Sequence, residues 1–187
     1  MRILAIPGSV RRDSHNARLL RYVAERAPEG VEIEVWEALK SIPPYDEDDD
    51  GSFPPAPVTE LREAIAGADG LLFATPEYNG SVPGVLKNAI DWASRPRATT
   101  PLQNKPAAVI GATTGAFGAV WAQAELRKVL ATAGARVIDT ELPVAKVHEA
   151  FDEFGNLSID AHHEQIDNLL GALTAEVAAG RQLAAVA

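Results

Sequence analysis

Short apolar segments alternate along the whole chain with segments of helical periodicity. The segments at residues 70–75 and 106–112 contain no charged side chain, as expected of strands that are buried on both faces of a sheet. A strand followed by a helix, repeated in this way, predicts an open parallel sheet with helices on both faces, which is an α/β fold. The predicted strands are 2–6, 31–36, 70–75, 106–112 and 136–140, the predicted helices are 16–27, 58–66, 83–93, 119–133 and 162–179, and residues 150–159 are expected to form a turn or small hairpin.

The chain has the size and composition of one globular domain. Its 187 residues are 47% hydrophobic and 23% charged, and no linker or internal repeat divides them, so a single domain over residues 1–187 is expected. The absence of cysteine excludes disulfides, thiolate metal sites and thiol nucleophiles. No apolar run approaches the ~20 residues of a membrane span. The first apolar segment reaches Pro7-Gly8 too soon for a signal peptide, so the cytoplasm is the expected location.

The formal net charge of −9 is unevenly distributed. Residues 46–50 alone contribute −5, whereas residues 1–27 hold six arginines against Asp13 and Glu25, a local charge of +4. The overall acidity disfavours nucleic acids and anionic membranes as partners, because both are bound through an excess of Lys and Arg. The basic N-terminal region favours a small phosphorylated ligand instead.

The segment that joins the first strand to the first helix has the composition of an anion site. Small residues there let backbone N–H groups converge, and the start of a helix adds partial positive charge. Ser9, Ser14 and Asn16 offer short polar groups, and Arg11 can bind an anion in fork geometry. A phosphate is the expected ligand, and the alternative is an ordinary loop in which Ser14 caps the helix. The segment contains neither a Walker A sequence nor a Gly-x-Gly-x-x-Gly fingerprint.

Two further loops follow predicted strands and should reach the same edge of the sheet, where α/β proteins bind ligands. Residues 75–84 contain Asn-Gly and Pro-Gly pairs, which indicate turns, and Tyr78, whose ring could cover a planar ligand. Residues 111–118 are rich in glycine, which lets the backbone approach a ligand closely. Each loop alone is a weak signal, since a loop tyrosine more often packs against the protein. Three such loops at one edge support one another.

The motifs in these loops resemble those of the NAD(P)H-dependent FMN reductase family, which includes quinone, azo-dye and chromate reductases. The family's first loop has the form Gly-Ser-x-Arg-x-x-Ser-x-Asn, which residues 8–16 match. Its most specific motif resembles Pro-Glu-Tyr-Asn-x-Ser-x-Pro-Gly-x-Leu-Lys-Asn-Ala-Ile-Asp-Trp, which is matched from Pro76 to Trp92. The similarity continues in weaker form through Thr113-Thr114-Gly115, so it covers most of the chain. The resemblance implies a flavodoxin-like three-layer sandwich whose five-stranded parallel sheet has the order 2-1-3-4-5.

The resemblance also implies FMN as the cofactor, held by the three loops. One set of residues would bind its phosphate, a second would lie beside the isoalloxazine, and a third would lie on the opposite side. These sets are, in order, Ser9, Arg11, Ser14, His15 and Asn16; Pro76, Glu77, Tyr78 and Asn79; and Thr113, Thr114 and Gly115. Where many family members carry Gly-Gly, this chain has Gly118-Ala119 followed by Trp121, a departure expected to narrow the substrate face.

The implied activity is the NAD(P)H-dependent reduction of quinones or similar acceptors, such as azo and nitro compounds, chromate or free flavin. Nicotinamide and acceptor would use the same flavin face in turn, with hydride passing through the flavin N5, which predicts ping-pong kinetics. No side chain is expected to be catalytic, because protons can come from solvent. The choice between NADPH and NADH stays open, with Arg11, Arg12, Arg95 and Arg97 as candidates for a 2′-phosphate contact. The alternatives are a flavodoxin-type electron carrier without its own NAD(P)H activity and, more distantly, a non-redox protein of the same fold.

The remaining polar residues predict structural roles. No metal site is expected, because the adjacent His162 and His163 point about 100° apart on a helix and cannot clasp one ion. Glu77 is expected to hold its loop or a subunit contact rather than to act as a base. Family members commonly pair through the helix at residues 83–94, so the resemblance implies a homodimer or homotetramer.

Overall fold

Five parallel strands form the centre of the molecule in the order β2-β1-β3-β4-β5, and a sixth strand, β6, pairs with β4. The computed structural model describes residues 1–152, 157 and 160–186. The strands are β1 (Arg2–Pro7), β2 (Glu32–Val35), β3 (Gly70–Ala74), β4 (Pro106–Ala112), β5 (Arg136–Val137) and β6 (Pro143–Val144). The helices are α1 (His15–Glu25), α2 (Ala56–Gly67), α3 (Gly84–Ala93), α4 (Val120–Thr132), α5 (Val147–Ala150) and α6 (Asp160–Val186), with a 3₁₀ helix at Ala38–Ser41. The predicted α/β class and strand order are confirmed.

Burial along each strand follows the sequence pattern that predicted it. Every residue of β3 and β4 is buried, as their uncharged sequences require. β2 lies at the edge of the sheet, in register with β1 through pairs such as Ile3 with Ile33, and its Glu32 and Glu34 face solvent. β1, β3 and β4 are neighbours in parallel register. Their carboxyl ends therefore lie side by side at one edge.

Two apolar cores, one on each face of the sheet, complete the three layers. On one face α2, α3 and α4 pack over the sheet, with Leu86 of α3 and Phe73 of β3 in the same core. On the other face α1 and α6 bury Leu20 and Leu169 in a core that contains Leu72. Leu72 and Phe73 serve opposite cores because successive strand side chains point to opposite faces. One sheet thus carries both helical layers.

The last strands of the sheet, β5 and β6, differ most from the strand predicted at residues 136–140. The strand predicted at residues 136–140 is only two residues long, and the chain then returns to the sheet as β6. There Gly111 N–H donates to Leu142 O at 3.1 Å and Thr113 N–H donates to Val144 O at 3.0 Å. β4 has seven residues and β5 pairs only with its start, so β6 supplies hydrogen-bond partners for its end.

The C-terminal helix is longer than its periodicity predicted. α6 covers Asp160–Val186 rather than 162–179. Of the turn predicted at residues 150–159, the described part is the end of α5 and an antiparallel bridge between Phe151 and Leu157, and residues 153–156 and 158–159 lie outside the described residues. Among the described helices, none is both long and apolar enough to cross a membrane.

Candidate functional site

Three loops meet at the carboxyl ends of β1, β3 and β4. They are loop 1 (residues 8–14), loop 2 (residues 75–83) and loop 3 (residues 113–119). Loop 1 begins with Gly8, whose N–H donates to Ala74 O at 2.7 Å. Loop 2 begins with Thr75, whose N–H donates to Ile110 O at 2.9 Å. Loops 1 and 2 therefore leave the sheet bonded to the neighbouring strand, which fixes their spacing.

Loop 1 presents backbone N–H groups at the start of α1. Ser14 is the N-cap of this eleven-residue helix, and its Oγ accepts a bond from Ala17 N–H at 3.2 Å. The N–H groups of His15 and Asn16 have no acceptor among the described residues. The helix adds partial positive charge at this end. Ser14 therefore caps the helix, as the alternative interpretation expected, and still leaves donors that suit an anion.

The electrostatic field of loop 1 is positive. Arg11 and Arg12 are exposed and form no ion pair with a described residue, and Asp13 is the one carboxylate of the loop. Burial lowers the pKa of His15 below its ordinary 6.5, and the nearby Arg11 and Arg18 cations lower it further. His15 is therefore neutral at pH 7, and its surroundings favour negative charge.

Asn16 links loop 1 to loop 3. Its buried side chain donates from Nδ2 to Ala112 O and accepts from Ala112 N–H through Oδ1, both at 2.9 Å. This pair of bonds ties the first turn of α1 to the last residue of β4. Because the side chain is engaged, the backbone N–H of Asn16 is the group left for the predicted phosphate contact.

Loop 2 turns at Asn79-Gly80, as its sequence indicated. Tyr78 and Ser81 exchange two backbone hydrogen bonds of 3.1 Å, and Asn79 and Gly80 have φ angles of +54° and +74°. Two positive φ angles between paired residues are typical of a type I′ turn, for which Asn-Gly is a preferred sequence. The turn leaves the Tyr78 side chain 52% exposed, so its ring is accessible to a ligand.

Two glutamates join loop 2 to α4. Glu77 Oε2 accepts bonds from two backbone N–H groups in the first turn of α4, at 3.2 Å each. The N-cap residue, Ala119, has no side chain that could accept them. Glu125 of α4 accepts bonds from Ser81 Oγ at 2.6 Å and from Val82 N–H at 3.2 Å, and these bonds lower the pKa of its carboxyl. Glu77 therefore caps α4 from another loop, which agrees with the expected loop-holding role.

Loop 3 rests on a segment that the sequence interpretation missed. Lys146 N–H donates to Gly115 O at 2.9 Å, and Val147 N–H donates to Thr113 O at 2.9 Å. Lys146 has a φ angle of +44°, which turns the chain between β6 and α5 toward the loop. A non-glycine residue with positive φ carries no clear sequence signal, so this support could not be found from the sequence.

Gly118 and Ala119 lead loop 3 into α4 through left-handed backbone, each with a φ angle of +59°. A Cβ on Gly118 would come within 2.5 Å of Pro143, so glycine is required there. The fully buried Gln123 donates from Nε2 to Gly118 O at 2.7 Å and fixes this backbone. Where many family members have a second glycine, this chain has Ala119, whose left-handed backbone is strained for alanine and would not be strained for glycine.

Exposed apolar side chains occur on each of the three loops or on the helix that follows it. The Phe117 and Trp121 rings contact each other at 67°, with centroids 5.1 Å apart. Of the six large apolar side chains exposed in the described part of the chain, only Phe53 lies away from the three loops and the helices that follow them. The other five, here called the apolar rim, are Val10, Tyr78, Val85, Phe117 and Trp121. Such a rim beside unpaired donors suits a ligand with a planar apolar part and an anionic end.

The histidines outside loop 1 do not gather into a metal site. Within residues 1–152, 157 and 160–186, no group of three or more His, Asp or Glu side chains could hold an ion. His163 Nε2 lies 2.9 Å from Tyr22 Oη and 2.7 Å from Leu157 O. These contacts join α1 to α6 and are structural.

Similar proteins share the fold over most of their length. A family model described as NADPH-dependent FMN reductase matches residues 1–149. An NAD(P)H-dependent FMN reductase of Pseudomonas aeruginosa is 44% identical over 175 residues, 92% of this chain and 93% of that protein. A 2-hydroxy-1,4-benzoquinone reductase of a Burkholderia species is 44% identical over 131 residues, 70% of each chain. Among solved structures, the flavoenzyme NAD(P)H:(acceptor) oxidoreductase of Paracoccus denitrificans has a TM-score of 0.81 at 32% identity, covering 94% of this chain and 96% of that one.

The family match contains every part of the candidate site. Residues 1–149 include all six strands of the sheet, the three loops and the segment behind loop 3. The 44% identity to the Pseudomonas protein extends over nearly the full length of both chains. Sequence motif, strand order and relatives agree, and the chain belongs to the NADPH-dependent FMN reductase family.

Proposed function

We propose that the protein is an FMN-dependent oxidoreductase that uses NAD(P)H to reduce quinones and similar acceptors. The observation that carries the proposal is the presence, at one edge of the sheet, of both unpaired N–H donors at the start of α1 and the apolar rim. Donors alone would suit any phosphorylated metabolite, whereas the rim adds a surface for a flat ring system. The FMN reductase and the benzoquinone reductase to which the chain is similar support the same assignment.

The donors around loop 1 fit an FMN phosphate. Arg11 supplies a cation, and the N–H groups of His15 and Asn16 supply neutral donors from the helix start. Ser9 Oγ accepts from Arg11 N–H at 3.4 Å, so its hydroxyl hydrogen remains available. A phosphate dianion would satisfy donors that have no other described partner. Bound FMN would supply hydride transfer between nicotinamide and acceptor.

Loops 2 and 3 offer donors for the isoalloxazine. The N–H groups of Glu77 and Asn79 in loop 2, and of Thr114 in loop 3, have no acceptor within the described residues. Such donors can bond to the edge of a heterocycle and stabilise negative charge that develops there. Gly115 N–H donates to Thr113 Oγ1 at 3.2 Å, which fixes the backbone of loop 3 next to the Thr114 N–H.

The overall reaction would convert NAD(P)H, a proton and a quinone into NAD(P)⁺ and a hydroquinone, with two electrons transferred. Glu77 would not supply the proton, because its carboxylate is engaged in capping α4. Solvent would supply it. If nicotinamide and quinone use one face in turn, initial rates at several fixed quinone concentrations give parallel double-reciprocal lines. Intersecting lines would contradict the shared face.

The reductase assignment is tested by loading purified protein with FMN and following the oxidation of NADPH and of NADH with 1,4-benzoquinone as acceptor. We expect oxidation that requires both FMN and quinone, and the two rates give the nicotinamide preference. A protein that holds FMN but oxidises neither nicotinamide would be an electron carrier. A protein that takes up no FMN would contradict the cofactor assignment.

We also propose a homodimer or homotetramer that pairs through α3. The outer faces of α3 and α4 border a cavity of about 350 Å³. Ile90 and Val129 line it together with the charged Lys87, Asp91 and Lys128. This mixed polarity suits a subunit interface. Light scattering on the eluted protein should give a multiple of the 19.9 kDa chain mass, and a monomer would contradict the proposal.

We further propose one domain over residues 1–187, a cytoplasmic location and no nucleic-acid partner. Both apolar cores pack on one sheet, and the net charge of −9 disfavours a phosphate backbone. A single cooperative unfolding transition is expected of one domain. Two separated transitions would contradict it.

A further inference from the structure

Phe117 and Trp121 form a perpendicular aromatic pair at the end of loop 3, here called the aromatic corner. Their side chains are 63% and 53% exposed, and their rings meet edge to face with centroids 5.1 Å apart. Two large rings left in water carry a solvation cost that a flat apolar ligand would relieve. The corner belongs to the apolar rim: Phe117 lies in loop 3, which is expected to flank the flavin, and Trp121 lies in the first turn of α4.

The position of the aromatic corner is fixed by hydrogen bonds. Trp121 N–H is bonded to Glu77 Oε2 at 3.2 Å. Gly118, which lies between Phe117 and Trp121 in the sequence, packs so closely on Pro143 that a Cβ would come within 2.5 Å of it, and the Gly118 carbonyl accepts from the buried Gln123 at 2.7 Å. These bonds fix the backbone that carries both rings, so a ligand meets a surface whose backbone is already ordered.

The two loop segments around the aromatic corner carry no basic side chain, and Glu125 of α4 adds a carboxylate beside loop 2 through its bonds to Ser81 and Val82. Residues 75–84 and 113–121 contain one charged side chain, the carboxylate of Glu77. Lys146, in the segment behind loop 3, has its Nζ 3.9 Å from Glu149 and a side chain that is 61% exposed. Arg11 is assigned to the FMN phosphate. A small oxyanion would therefore meet a carboxylate and no unpaired cation in these two segments, whereas an uncharged ring meets apolar surface.

We propose that Phe117 and Trp121 are an acceptor subsite that selects uncharged, fused-ring aromatic acceptors such as naphthoquinones over small oxyanions such as chromate. This inference rests on the proposed reductase function and narrows its acceptor class. Two rings at 67° offer contact along two directions. A fused bicyclic acceptor can reach both rings, and a single-ring benzoquinone covers less of the corner.

The test compares the FMN-loaded enzyme with variants of the aromatic corner. Phe117→Ala and Trp121→Ala each remove one ring, Trp121→Phe keeps a ring, and Phe117→Leu keeps apolar volume without one. Phe53→Ala is the matched control, because Phe53 is 95% exposed and lies in a different loop. The measured quantity is kcat/KM for menadione, a naphthoquinone, for 1,4-benzoquinone and for chromate, with NADPH held constant.

We expect each alanine variant and Phe117→Leu to lower kcat/KM for menadione by roughly 5- to 10-fold, the range expected for a lost aromatic contact. The loss for benzoquinone should be smaller, and chromate should change by less than about twofold. Trp121→Phe should keep most of the menadione activity, and Phe53→Ala should match the wild type.

Two results would overturn the subsite. One is an equal loss of menadione and chromate activity, or no loss of either. The other is a change of oligomeric state in Trp121→Ala or Phe117→Leu, which would assign the rings to a subunit interface. In both cases the wild type still reduces acceptors. A wild type that binds no FMN or oxidises no NAD(P)H would instead overturn the proposed function itself, and the subsite with it.

Discussion

At the scale of single residues, Arg11 has the most direct consequence for cofactor affinity. It is exposed and forms no ion pair with a described residue, so its guanidinium is available to a phosphate. We predict that Arg11→Ala weakens FMN binding by roughly 10- to 100-fold, since a charge-assisted hydrogen bond contributes about 1.5–3 kcal/mol. Titration calorimetry measures the dissociation constant. Arg12→Ala is the matched control, and equal losses in both variants would contradict a specific contact.

We expect the pKa of His15 to respond to a phosphate at the proposed site. Burial and the Arg11 and Arg18 cations hold the pKa of His15 below 6.5 in the free protein. A bound dianion acts in the opposite direction, so FMN should raise this pKa. NMR titration of the imidazole C–H resonance, with and without FMN, measures both values. An unchanged or lower pKa in the complex would place the phosphate elsewhere.

The lowered pKa of His15 also determines how the free energy of unfolding depends on pH. The unfolded chain takes up a proton at its ordinary pKa of 6.5, whereas folded His15 takes it up only at lower pH. The unfolded state therefore binds more protons below 6.5, and the His15 contribution to the free energy of unfolding falls as the pH drops. His15→Gln should reduce this part of the pH dependence in denaturant unfolding.

Ala119 carries backbone strain that a single substitution can relieve. It has a Cβ and a φ angle of +59°, and left-handed backbone costs a non-glycine residue about 1–2 kcal/mol. We predict that Ala119→Gly leaves the free energy of unfolding almost unchanged, because relief of the strain offsets both the greater entropy of glycine in the unfolded chain and the loss of a buried methyl group. Urea unfolding measures the change. Ala124→Gly, at an exposed position inside α4, should lower stability by about 1 kcal/mol, and a loss in both variants would argue against strain.

At the scale of secondary-structure elements, α4 depends on a cap from loop 2. Glu77 accepts two N–H groups of its first turn, and the N-cap residue offers no side chain. We predict that Glu77→Ala lowers the free energy of unfolding by about 1 kcal/mol, the usual loss for a removed N-cap. Glu77→Gln keeps an acceptor oxygen and should lose less, since only the interaction with the helix dipole is removed. Glu60→Ala, at an exposed position of α2, is the control, and an equal effect in all three variants would contradict capping.

The elements that could be predicted from the sequence are those whose pattern is set by burial. β3 and β4 lie within the central sheet, so their sequences lack charges and identify them at once. β6 has two residues, Pro143–Val144, and no periodicity can mark a segment of that length. The two bonds between Asn16 and Ala112 join residues 96 positions apart. Such a pairing depends on the folded sheet and is invisible to local pattern.

At the scale of the whole molecule, the charge distribution separates acidic surface from the proposed FMN site. The acidic residues 46–50 follow Tyr45, whose N–H is bonded to Asn88 Oδ1 of α3 at 2.7 Å, and Asp50 is paired with Arg62 of α2 at 2.8 Å. Both helices cover the face of the sheet opposite α1. The overall charge of −9 therefore does not cancel the positive field of loop 1. A phosphorylated cofactor can bind an acidic protein for this reason.

FMN binding by this fold and the reduction of bound FMN by NAD(P)H can be tested together. The most direct measurement is the visible spectrum of the FMN-loaded protein before and after NADPH is added without oxygen. We expect flavin absorption that corresponds to about one FMN per chain and that bleaches on mixing, because NADPH would reduce the bound FMN. Protein that retains no flavin, or flavin that stays oxidised with both NADPH and NADH, would contradict it.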